Sequence, residues 1–208
     1  MKVLMTTLTL LATALSASAS AASWPASGAG REAARRTLAD FETTLDATDS
    51  ASEALRRWCA DRHLAEPAVI KADRMRDADK PAGPEVRRAL GASAEEPLRY
   101  RHVRLRCGDR VLSEADNWYR PERLTHDMNT VLDASDRPFG VVVAPLRFRR
   151  RTLGVDWLFD PFAASATGGV LTSPHAVLRH RALLIAEDGA PFSLVVETYT
   201  DEVLAAPR

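Results

Sequence analysis

Residues 98–119 read Leu98-Arg-Tyr-Arg-His-Val-Arg-Leu-Arg-Cys107, then Gly108-Asp109-Arg110, then Val111-Leu-Ser-Glu-Ala-Asp-Asn-Trp-Tyr119. On the first run Arg101, Val103, Leu105 and Cys107 share one face, while Tyr100, His102, Arg104 and Arg106 share the other. The second run alternates as well, so the two predict a hairpin turning near Gly108. A two-residue turn at Gly108-Asp109 would set Val103 against Glu114. A three-residue turn, Gly108-Asp109-Arg110, pairs Val103 with Ala115, Leu105 with Ser113, Arg104 with Glu114 and His102 with Asp116. The second register gives one apolar face and one face of opposite charges, and is the one expected.

Outward from this hairpin the chain divides. Before it, Ala34, Leu38, Phe41 and Leu45 recur at helical spacing over 31–45, and Ala51, Leu55, Trp58 and Cys59 do so over 50–62. Asp49 or Ser50 can cap the second helix, with Glu53 three residues after Ser50 as in a capping box. Residues 67–76 read as a strand, and Pro84 to Leu90 as a short helix ending at Gly91. After the hairpin, Pro121 opens a helix to about Asp133 with Leu124, Met128, Val131 and Leu132 inward. Val141–Val143 is a short apolar piece, Arg147–Phe159 a long strand and Asp160–Pro174 a loop. Two strands, Ala176–Ala186 and Phe192–Leu204, flank the hairpin dipeptide Asp188-Gly189. Helices first and mostly antiparallel strands afterwards predict a single α+β domain.

Composition limits the function. The 208 residues carry 28 Lys+Arg and 28 Asp+Glu, and 46% are hydrophobic, which argues against a polybasic nucleic-acid binder and against a charged disordered chain. Residues 1–22 read as a secretory leader: Met1-Lys2, an apolar run to Leu15, then small residues with cleavage after Ala19, Ala21 or Ala22. The apolar run is shorter than the roughly 20 residues of a membrane span. The expectation is therefore a leader (1–22) and one domain (23–208), periplasmic or secreted, without a stable membrane span once the leader is removed, and monomeric. Export permits a disulfide between Cys59 and Cys107, and two buried free thiols are equally compatible with their apolar faces. No zinc-ligand spacing, Gly-rich phosphate loop or G-x-S-x-G elbow occurs, which argues against a metalloenzyme, a nucleotide enzyme and a serine hydrolase.

Two charged residues break the pattern. Glu197 lies on a largely apolar strand face, opposite His180 in the register that the Asp188-Gly189 turn sets, and is a candidate site group. The plainer reading is an exposed face or a structural Glu197–His180 pair. Arg101 leads the apolar face Val103-Leu105-Cys107, where a guanidinium fork suits a carboxylate; the plainer reading is a solvated strand end. The run Arg147, Arg149, Arg150 and Arg151, with only Phe148 as an aromatic, reads as a solvated strand surface.

Taken in order, Arg101-His-Val-Arg-Leu, Tyr119-Arg-Pro121, Met128-Asn129, Asp136-Arg-Pro138-Phe139-Gly140, Gly189-Ala-Pro191 and Glu197-Thr-Tyr resemble the chorismate lyase family, over roughly residues 40–204. Asp49-Ser50-Ala51-Ser52 stands where that family has a similar helix start. The resemblance implies an antiparallel sheet of about six strands with helices on one side, enclosing a small ligand pocket. It implies Arg101 and Glu197 as the catalytic pair, with Arg101, Ala51, Phe139, Gly140 and His180 against the substrate. The implied reaction is cofactor-independent release of pyruvate from chorismate, leaving 4-hydroxybenzoate. Ala51 and Phe139 depart from the family's larger apolar residue and leucine. A non-catalytic module binding a small aromatic acid is the alternative function.

Overall fold

The computed structural model describes residues 22–205; the expected leader lies outside the described residues except for Ala22. Six strands form one wholly antiparallel sheet: β2 (Ile70–Arg74), β3 (Arg99–Cys107), β4 (Arg110–Tyr119), β9 (Pro191–Thr200), β8 (Ala176–Ile185) and β5 (Arg149–Trp157), in that spatial order. A small second sheet joins β1 (Ser23–Pro25), β7 (Val170–Thr172) and β6 (Ala166–Thr167), so the expected loop 160–174 contains short strands tied to the start of the fold.

The β3–β4 register is the expected one, with Val103 opposite Ala115, Leu105 opposite Ser113, Arg104 opposite Glu114 and His102 opposite Asp116. It is reached by another route. Cys107 pairs with Arg110 and Arg106 with Val111, so only Gly108 and Asp109 turn, and the register then shifts by one residue at Leu112. A bulge supplies the residue that the expected longer turn would have supplied. Glu197 faces His180 across β8 and β9, as the Asp188-Gly189 turn predicts.

Helix α1 (Gly28–Asp46) is capped by Ser27 and buries Ala34, Leu38, Phe41 and Leu45, the predicted stripe. Ser50 caps α2 (Ala51–Asp61) by accepting from the Glu53 N–H. These two helices pack Phe41, Leu55 and Trp58 with Leu105, Leu178 and Tyr199 on the inner face of the sheet. The helix expected from Pro121 is interrupted. Pro121–Arg123 is a 3₁₀ turn, and α4 (His126–Ala134) starts afresh because Thr125 caps the Met128 N–H. With α5 (Phe139–Val142) it packs Leu132, Val142, Tyr119, Phe148, Leu184 and Phe192 into a second cluster on the same face. The short helix α3 (Pro84–Leu90) lies on the opposite face, where Leu90 meets Trp118, Leu183 and Leu194. Helix cover is thus mainly on one side, as expected, with this one addition. The last strand ends earlier than expected, at Thr200, and runs into a 3₁₀ turn over Asp201–Leu204. Cys59 and Cys107 are bonded to each other, joining α2 to the end of β3. Among the described residues no helix is long and apolar enough to cross a membrane.

Candidate functional site

Between the two inner-face clusters lies a cavity lined by Val103, Leu105, Ala115, Asn117, Val195 and Glu197 from the sheet. Over them sit Asp49–Ser52 at the start of α2, Phe139 and Gly140 of α5, and Phe148. Three local features set this roof. Ser50 holds the start of α2 by its cap. The Asp49 carboxylate accepts the Arg150 backbone N–H at 2.7 Å, tying the same turn to β5. Gly140 permits the closest approach, since a Cβ there would stand 2.7 Å from Ser50 Oγ. The free volume is about 40 Å³. That is enough for about one water and far below the roughly 150 Å³ cavity known to take up benzene.

Glu197 is 6% exposed and is held by two donors, Arg150 Nη2 at 2.5 Å and the Tyr199 hydroxyl at 3.2 Å, both to Oε2. Arg150 was expected on a solvated surface. Its strand is exposed almost throughout, but the inward pleat at position 150 carries this one guanidinium under the sheet to the carboxylate. Burial alone would pull Arg150 down, yet the charge of Glu197, the Tyr199 oxygen and the hydrogen bond together hold it above the usual arginine range. Tyr199, fully buried, is pushed well up, by burial first and then by Glu197.

His180 is 0% exposed, and neither ring nitrogen has a hydrogen-bond partner among the described residues. Its ring meets Tyr199 edge-on, 5.7 Å between centroids. Burial, followed by the Arg150 charge, lowers its pKa, while Glu197 and Asp46 act in the opposite sense. It lies outside the cavity lining, beside Glu197.

Arg101 is 2% exposed, and none of its three side-chain nitrogens has a partner among the described residues. It pairs across the sheet with Asn117, which does line the cavity, and so stands one row beyond the lining on the same face. Burial, with Arg74 and Arg76 adding like charge, lowers its pKa to about 10 against the opposing pull of Tyr119 and Asp133. Strand spacing and rise place Arg101 and Glu197, two strands and one row apart, about 12 Å apart at Cα.

The structure therefore brings Ala51, Phe139, Gly140 and Glu197 around one cavity, with Arg101 and His180 buried at its margins. Sequence reasoning missed Arg150, Asn117, Phe148 and Leu184. The alternation around Phe148 and Arg150 was the available signal for an inward arginine. No group of three or more His, Cys, Asp or Glu among the described residues is placed to hold a metal ion. Chemically, the site offers a buried cation without a hydrogen-bond partner among the described residues, a fixed carboxylate and aromatic walls.

No family model matches the chain. The uncharacterized protein y4mC of Sinorhizobium fredii (strain NBRC 101917 / NGR234) is 42% identical over 194 residues, covering 88% of this chain and 82% of that protein. The effector domain of PhnF from Mycobacterium smegmatis superposes with a TM-score of 0.50 at 12% identity, covering 73% of this chain and 88% of that one. The ligand-binding domain of a regulator assigned to the GntR family, from Bordetella bronchiseptica, gives 0.45 at 16% identity, over 62% and 85%. At these identities the likeness to PhnF is one of fold.

Proposed function

The chain belongs to the family of the uncharacterized Sinorhizobium fredii protein y4mC, and from its site we propose that it binds a small carboxylated ring compound, anchored by Arg101. One observation carries this reading: Arg101 is buried with all of its donors unpaired among the described residues. A buried guanidinium without a counter-ion is unfavourable, and a planar carboxylate is the group its fork matches. Phe139, Phe148 and Leu184 give a ring an apolar bed, and Asn117 lies between the anchor and Glu197. That the fold is shared with an effector domain supports binding as the activity.

A second reading rests on Glu197, which lines the cavity while both of its hydrogen bonds go to one oxygen. The other oxygen is left to face a substrate. In the chorismate pyruvate-lyase reaction the ether bond to the ring breaks, a ring proton leaves and the released enolpyruvate gains a proton. Atoms balance without water or a cofactor. Arg101 would orient the ring carboxylate and Glu197 would assist the proton movement. Glu197 is already engaged by Arg150 and Tyr199, whereas Arg101 has no partner among the described residues, so binding is the leading assignment.

Thermal-shift titration with 4-hydroxybenzoate, run beside a pyruvate-release assay on chorismate, tests both. The expected result is stabilisation of the wild type that grows with ligand concentration, is lost in Arg101→Ala, and is accompanied by no turnover. Pyruvate release abolished by Glu197→Ala would establish the lyase reading instead. Absence of any shift with carboxylated ring compounds, together with absence of turnover, would overturn the assignment.

A further inference from the structure

Asn117 lines the cavity, is 4% exposed, and stands directly opposite Arg101 on the neighbouring strand. Its amide has a fixed sense. The Ser193 hydroxyl, itself fully buried, donates to Asn117 Oδ1 at 2.6 Å. In the reverse sense Ser193 would accept from Nδ2, and its own hydroxyl proton would have no acceptor among the described residues. Nδ2 is therefore the end left to the cavity, and it donates to no group among the described residues.

The charges on either side of this amide are unequal. On one side is Arg101, without a hydrogen-bond partner among the described residues. On the other, Glu197 lies diagonally across the β4–β9 pair, since Asn117 faces Val195 and Ala115 faces Glu197, and Asp49 is in the roof. Arg150, which also lines the cavity, is engaged by Glu197. A ligand whose carboxylate meets Arg101 thus extends over a neutral donor toward two carboxylates. An uncharged oxygen on its ring finds a donor there, whereas a second carboxylate meets like charge.

We propose that Asn117 is the specificity-determining residue of this site: Nδ2, oriented by Ser193, donates to an uncharged oxygen on the ring of a monocarboxylate, and the site turns away a dicarboxylate. The assignment rests on the reading of Arg101 as a carboxylate anchor and adds the class of ligand, a ring monocarboxylate bearing an oxygen substituent. Ser193 is outside the cavity lining and acts through the Asn117 amide as a positioning residue.

Isothermal titration calorimetry on the wild type, Asn117→Ala and Ser193→Ala tests this with benzoate, 3- and 4-hydroxybenzoate and terephthalate. The wild type is expected to bind the better hydroxybenzoate about tenfold more tightly than benzoate, and terephthalate at least about tenfold more weakly than that hydroxybenzoate. Each substitution should bring hydroxybenzoate and benzoate to within about threefold of one another while benzoate keeps its wild-type affinity to within about threefold, a split that general loosening of the fold would not produce. The comparison of ligands on the wild type decides the matter even where a variant fails to fold. Benzoate or terephthalate bound as tightly as the better hydroxybenzoate, or a preference that survives both substitutions, would overturn the role of Asn117 while leaving Arg101 as the anchor. If none of the four ligands binds the wild type, the carboxylate reading itself falls, and this assignment with it.

Discussion

Arg101 carries a cost that the described residues offset only in part. Lowering its pKa to about 10 corresponds to roughly 3 kcal/mol against the charged form, and burial is the main cause. Arg150 sits under the same sheet at no such disadvantage, because Glu197 neutralises it. On the proposed function the two arginines divide between holding the fold and holding a ligand. His180 adds a pH dependence to the same network. Its folded-state pKa is depressed below the unfolded value of about 6.5, by burial and then by Arg150, so the unfolded chain takes up the proton first as pH falls. Stability is therefore complete above about pH 6.5 and declines below it, levelling off only beneath the folded-state pKa. Urea midpoints measured from about pH 8 to about pH 5 should show this decline in the wild type and a shallower one in His180→Leu, which removes the titration while keeping the position apolar. Equal slopes in the two proteins would show that the acid sensitivity arises elsewhere.

At the level of elements, the bond between Cys59 and Cys107 joins the α2 helix to the end of β3 across 48 residues of sequence. Closing a loop of that length is worth up to about 4 kcal/mol, with 2–4 the usual range. Guanidinium titrations with and without reductant should differ by about that amount, and Cys59→Ala should behave like the reduced wild type. The pairing itself was not legible in the sequence, where each cysteine only marks an apolar face. The β3–β4 register was legible, because complementary charges on one face and apolar residues on the other allow one alignment; the bulge at Leu112 was not, since a longer turn gives the same pairs. The strands at Ala166–Thr167 and Val170–Thr172 are too short to show a period of two. The interruption near Leu124 was hidden because apolar spacing continues through it, and only Thr125, as a cap, distinguishes a new helix from a continuing one. In the site, Glu197 and Arg101 stood out as charges on apolar faces. Arg150 did not, because neighbouring arginines on both pleats masked the one that turns inward.

At the scale of the whole molecule, charge and closure together determine how a ligand reaches the site. Residues 99–151 carry 12 basic and 7 acidic groups, which suggests a field that attracts anions. Folding removes most of it: Arg104 pairs with Glu114 at 2.7 Å, Arg106 with Asp73 at 2.9 Å, Arg99 with Asp133 at 2.7 Å, and His102 and Lys80 both meet Asp116. Long-range steering is therefore weak, and the buried Arg101 acts only after entry. Entry is blocked, since the cavity of about 40 Å³ does not admit a ring unless its roof moves. The shortest element of that roof is α5, whose half-buried Phe139 packs 5.2 Å from the Tyr119 ring and 6.4 Å from Phe192, and it is the part expected to give way to a ring. Shortening Phe139 to alanine should then speed association of 4-hydroxybenzoate about tenfold, while the dependence on Arg101 persists. Raising salt from about 50 to about 500 mM should change the wild-type rate by less than about threefold. Stopped-flow measurements on wild type and Phe139→Ala check both expectations. A steep salt dependence would return the recognition step to the surface arginines, and an unchanged rate in the variant would place the barrier at another part of the roof.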